Sequence, residues 1–165
     1  MASVYERNFA RLVKLLGQPA ELDFERSYRL TAPGFMNLFV ERLPDEEGPE
    51  AVVLSLAHYF EQSGDLCQDP EMTVRIGPQM GGRSYAEALT FQQSIPPIYR
   101  EVYPEPGKFY PKVKRQLNAF LELWLKDLGQ QGHRLLRPEV YAPAPGTGID
   151  PHYPFSAAEA RRGRP

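Results

Sequence analysis

Near the amino terminus, Val4, Tyr5, Phe9, Leu12, Val13 and Leu16 recur at helical spacing, while Arg7, Arg11 and Lys14 line another face. Ser3 and Glu6 stand at the spacing of a capping box, in which hydroxyl and carboxylate each satisfy a backbone N–H left unpaired at a helix start. Gly17 and Pro19 end the run. The basic line reads as a solvated surface. From residue 25 the period changes from helical to alternating. FERSYRLTA, GFMNLFVERL, AVVLSLAHYF, EMTVRIG and YAEALTFQQ each have strand length and are rich in β-branched or aromatic residues. Short turn-forming segments separate them: Pro33-Gly34, PDEEGPE, QSGDLCQDP and GPQMGGR. Parallel neighbours need a crossover of about a dozen residues or more, so these connections predict an antiparallel meander of four to five strands.

Residues 95–111, IPPIYREVYPEPGKFYP, are too rich in proline for a central strand or a long helix. They read as a loop wrapped over the core and anchored by Ile98, Tyr99, Val102, Tyr103 and Phe109. After Pro111, Val113, Leu117, Phe120, Leu121, Trp124 and Leu128 fall on one face of a helix that Gly129 or Gly132 terminates. The expected fold class is α+β: an antiparallel β-meander packed by an N-terminal and a C-terminal helix. The single domain is expected over residues 1–133. Residues 134–165, with six prolines after position 137 and the basic end RRGRP, read as a tail or arm.

Composition narrows the partners little. Charged residues make up 24% and the net charge is −2, so there is no whole-chain attraction to nucleic acid or to acidic membranes, and such a partner would have to meet a local patch. Cys67 is the sole cysteine, which rules out an intramolecular disulfide and fits a reducing, cytoplasmic setting. Glu6, Arg7 and Arg11 interrupt the apolar residues of the first segment, so no secretory signal is read there. Nothing approaches the run of about 18 apolar residues that a membrane span needs.

The stretch GDLCQDPEMTVR, residues 64–75, holds the chain's nearest approach to catalytic chemistry. Asp65, Asp69 and Glu71, joined by His58, supply hard oxygens and one imidazole of the kind that bind Mg²⁺, Mn²⁺ or Zn²⁺. Against a metal, Gly64, Asp65 and Asp69-Pro70 are what a turn requires. His58 also shares its alternating set with Val52, Leu54, Leu56 and Phe60, the setting of a hydrogen-bonded core histidine. His133 suits the end of the last helix, where a cation complements the dipole. Cys67 lies among acids, which makes it a poor nucleophile. No nucleophile elbow, zinc signature or phosphate-binding loop is present, and no cofactor is expected.

One cluster conflicts with its local setting. Lys108, Lys112, Lys114 and Arg115 crowd the start of the last helix, where unpaired N–H groups already place positive charge. Such an end is ready to take an anion, and Phe109 and Tyr110 beside it could stack on bases of a single strand. The alternative is that Glu101, Glu105 or the acidic segment 44–50 folds back and neutralises the patch.

The segments GDLCQDPEM, AEALTFQQSI, REVY and LNAFLELWLKDLGQQG resemble a small family of bacterial proteins of unknown function found on plasmids and other mobile elements. The resemblance spans roughly residues 5–133. Cys67 and Asp127-Leu128 depart from the family's pattern, and the tail from Arg134 is particular to this chain. The resemblance implies a fold and a mobile-element or phage-like context, without a catalytic residue. Three functions follow as expectations. The first is a non-enzymatic interaction module for a protein or nucleic-acid partner, binding through Lys108, Phe109, Tyr110, Lys112, Lys114 and Arg115. The second is a metal-dependent hydrolase using His58, Asp69 and Glu71. The third is a subunit that pairs with its own copy through an exposed sheet face or edge.

Overall fold

In the computed structural model, which describes residues 1–24, 26–44, 51–78 and 81–135, the capping box at Ser3 and Glu6 is formed in both directions. Helix α1 (Val4–Leu16) follows, closed by Gly17 at φ 75°. A single 3₁₀ turn at Pro19–Glu21 leads into the sheet, and Arg42 donates to the carbonyls of Ala20 and Leu22 to hold that turn against it. The strands are β1 (Ser27–Thr31), β2 (Leu38–Leu43), β3 (Val52–Gln62), β4 (Asp65–Pro78), β5 (Ser84–Gln93) and β6 (Ile98–Glu101). Helix α2 (Pro111–Gln131) comes next and β7 (Arg134–Leu135) closes the described chain. The sheet is antiparallel and seven-stranded, ordered β6-β5-β4-β3-β2-β1-β7.

The α+β meander expected from the alternation is therefore present, with more strands than the four to five predicted. β6 is an edge strand inside the proline-rich stretch read as a loop, and it tolerates its prolines because they flank it at 96–97 and 104–106. Of the anchors expected there, only Val102 is fully buried. β7 is a two-residue bridge onto β1, pairing Leu135 with Leu30 and Arg134 with Thr31, so the sheet takes in two residues that the sequence reading assigned to the tail. The rest of that arm, like segment 45–50, lies outside the described residues.

The largest correction concerns QSGDLCQDP, expected as a connection: Gln62 still belongs to β3 and Asp65 to Pro70 are already strand. The reversal is made by Ser63 and Gly64 alone, both at positive φ (53° and 83°), as a two-residue hairpin demands. β4 then starts at Asp65, opposite Gln62. Pro70 sits in this central strand because the register with β3 shifts between Ala57 and Tyr59, so that Asp69 and Pro70 together oppose His58 and no ladder hydrogen bond is required of the proline.

Both helices cover one face of the sheet and run side by side in the same direction. Tyr5 lies near Lys114, Asn8 donates to the carbonyl of Asn118, and Leu15 shares a cleft with Leu125 and Gly129. Leu12, Leu30, Leu54, Leu56, Met72, Leu121, Leu125 and Leu128 form the centre of the core beneath them, each at most 1% exposed. Full burial of one such side chain stabilises by about 1.5–3 kcal/mol, so this layer dominates the energetics. By alternation the opposite face carries Arg29, Glu41, Ser55, Glu71, Thr73 and Arg75, with a small apolar cluster of Phe39, Ala57 and Tyr59. Among the described residues no helix packs on that face.

Candidate functional site

The start of α2 is built by the chain that leads into it. Val102 donates its N–H to the carbonyl of Leu89, and Tyr110 donates to the carbonyl of Val102, so segment 102–110 is pinned along β5 where β6 has ended. Tyr110 occupies the N-cap position with no side-chain cap, Pro111 opens the helix, and the first turn has no acidic residue. Backbone donors at this end are left exposed.

The four cations predicted here divide into two pairs. Lys108 is bound to Glu105 at 2.6 Å, three residues away on the surface. Lys114 is bound to Glu87 Oε1 at 2.6 Å and donates to Tyr103 Oη at 2.9 Å, while Tyr103 donates to the same Glu87 oxygen at 2.6 Å. Rings of Tyr5, Tyr103 and Phe109 stand 5.6, 5.5 and 5.7 Å from its ammonium, within cation–π range. Burial alone would lower the Lys114 pKa, but the bonds from Glu87 and Tyr103 and the Glu87 charge outweigh it and raise the pKa. Burial and the bond to Glu87 raise that of Tyr103 as well. Lys114 is thus a structural cation that fastens α2 to β5.

Lys112 and Arg115 are exposed and form no ion pair among the described residues. Phe109 and Tyr110, 51% and 56% exposed, stand beside them. The neutralisation considered from sequence is therefore half realised: Glu105 takes Lys108, but Lys114 is taken by Glu87, not by Glu101, and residues 45–50 lie outside the described chain. Sequence reasoning named Tyr103 only as a loop anchor and did not join it or Glu87 to Lys114. Glu87 is flanked by Ala86 and Ala88, both buried, and a carboxylate between two core alanines was the available signal.

The alternative metal set is not assembled. His58 faces α2, where its Nδ1–H donates to the carbonyl of Asn37 at 2.8 Å and its Nε2 accepts from the indole N–H of Trp124 at 3.3 Å, so both ring nitrogens are engaged. Burial is the main cause that holds its pKa below 6.5. Glu71 points to the opposite face and accepts from Ser55 Oγ at 3.1 Å. Among the described residues no group of three His, Cys, Asp or Glu side chains is placed to hold a metal. Asp65 opens β4 from an exposed position, Cys67 is half-buried, and His133 is buried at the end of α2 with Nε2 2.8 Å from the carbonyl of Met36.

Architecture and site together define a two-layer α+β domain with an aromatic and basic helix start. The chain belongs to the family described as Domain of unknown function (DUF6908), which it matches over residues 7–134. No curated protein and no solved structure matches it. Among the described residues no helix is long and apolar enough to cross a membrane.

Proposed function

We propose that the chain is a non-enzymatic interaction module that binds a single-stranded nucleic acid through the start of α2, in the mobile-element and cytoplasmic setting that the sequence resemblance and its lone cysteine favour. One observation carries this reading. Lys112 and Arg115 keep their charge unpaired among the described residues while Phe109 and Tyr110 stand more than half exposed beside them. Cations that track phosphates next to rings that stack on bases are the two components of sequence-tolerant single-strand binding. Lys108 and Lys114 serve differently: their acids hold the loop and the helix in place, and so present the other four residues.

Anisotropy of labelled single-stranded DNA and RNA at varied salt tests the proposal. Binding should weaken with salt, and the slope of log K against log salt should shrink by about 0.7 for each of Lys112 and Arg115 replaced by glutamine. Tyr110→Ala should cost about 1–3 kcal/mol through lost stacking. Absence of binding by either strand at low salt overturns the nucleic-acid assignment and leaves a protein as the partner to be sought on the same surface.

A further inference from the structure

At the other end of the helical layer, Arg11, Lys14, Lys126 and Arg134 converge on a cleft of about 570 Å³ whose apolar floor is Leu15 and Leu125. Cleft volumes of about 300–1,000 Å³ are those that enclose small ligands. No carboxylate lines it, and none of the four cationic side chains forms an ion pair or hydrogen bond with a described residue. Glu122, whose charge Arg11 and Lys126 also feel, does not line the cleft and is held in a two-pronged bond by Arg7, at 2.5 and 3.1 Å.

Cations are expected at helix carboxy ends, so the dipoles must be counted against them. Two parallel helices place about half a negative charge each at this end, about −1 together. Four cations therefore leave a net of about +3, well beyond what the dipoles balance. Gly129 and Gly132 add open space at the wall, since a Cβ built on either meets nothing within 4 Å, and they let a ligand approach the backbone closely.

We infer that this cleft is a binding site for a phosphate-bearing anion of nucleotide size, held by Arg11, Lys14, Lys126 and Arg134. The exposed lysines supply attraction at the mouth, Gln130 supplies an amide for a non-ionic part of the ligand, and Leu15 and Leu125 offer an apolar base. The inference does not rest on the reading of the α2 start, which lies at the opposite end of the helix.

Calorimetry of the whole chain with inorganic pyrophosphate, and separately with a nucleoside triphosphate in the presence of chelator, tests it. Both should bind, with affinity falling as salt rises. The double variant Lys14→Gln, Lys126→Gln, whose positions are exposed and helix-compatible, should weaken binding by about tenfold or more per cation while its melting curve stays that of the parent. Lys112→Gln with Arg115→Gln should leave pyrophosphate binding unchanged, which separates this site from the other. If an oligonucleotide displaces pyrophosphate, and Lys14→Gln with Lys126→Gln weakens both, nucleic-acid phosphates are the source. If it does not displace it, a free phosphorylated molecule is. No heat with pyrophosphate, or equal affinity in parent and double variant, overturns the inference.

Discussion

The Lys114 ammonium and the Glu87 carboxylate meet at 2.6 Å across the junction of α2 and β5, with side chains 26% and 10% exposed. The bond joins residues 27 apart in sequence, and Tyr103 closes it into a triangle. Removing one partner strands the other charge in a largely desolvated place. Lys114→Met should therefore destabilise the domain by about 1–3 kcal/mol in urea unfolding, a range reduced for the solvent that still reaches the pair. Combining it with Glu87→Gln should cost less than the two single changes added, because the second removes the charge that the first orphaned. Strict additivity would show that the pair is uncoupled.

His58 gives the fold a pH dependence near neutrality. Its Nε2 must be unprotonated to accept from Trp124, and burial keeps its pKa below 6.5. Between pH 6.5 and that lower value the unfolded chain binds more protons than the folded one, so stability is complete above this window and falls as pH drops through it. Glu6 and Glu122, with pKa values lowered by Ser3 and Arg7, add their own loss only below 4.5. The urea midpoint should decline from pH 7.5 to 5 in step with a change in emission of Trp124, the sole tryptophan. His58→Gln should flatten the midpoint over that range, and an unchanged slope would remove His58 as the cause.

The capping box makes a simpler forecast. Ser3 Oγ accepts the Glu6 N–H at 3.2 Å, and Glu6 Oε2 accepts the Ser3 N–H at 2.7 Å. Ser3→Ala should cost about 1 kcal/mol, a fall of about 2–8 °C in melting temperature. Ser3→Gly should cost only a few tenths as much, since glycine takes the N-cap backbone readily. Equal melting of parent and alanine variant would mean that the first turn frays in solution.

Helical and alternating periods were enough to place both helices and five of the strands, because each buries one face and the burial repeats along it. The rest was hidden wherever long-range pairing overrode local chemistry. Asp65 and Asp69-Pro70 carry turn residues, yet strand pairing with Gln62 and Gln68 opposite Tyr59 holds them extended. β7 is too short to show a period at all. At the site, four adjacent cations were visible, but which of them remain unpaired depends on Glu87, whose approach to Lys114 is a property of the folded sheet edge.

Asn118 is the residue whose role periodicity conceals most completely, a polar side chain 1% exposed within an apolar helix face. β6 pairs with β5 only from Thr90 onward, and the register against β4 shifts at Leu89, so the N–H of Ala88 has no strand to donate to. Asn118 Oδ1 accepts it at 2.9 Å, and its Nδ2 donates to the carbonyl of Lys114 at 2.8 Å, so one amide stands in for a missing strand partner and fixes the helix against the edge. Asn118→Leu keeps the volume but orphans a buried donor, at a cost of about 1–3 kcal/mol. Asn118→Asp retains the acceptor for Ala88 but buries a carboxylate against the Lys114 carbonyl, so at neutral pH it should cost at least as much as the leucine variant. Amide hydrogen exchange at Ala88 should speed up in the leucine variant well before global unfolding does. Protection equal to the parent's there would show that the sheet edge closes without the asparagine.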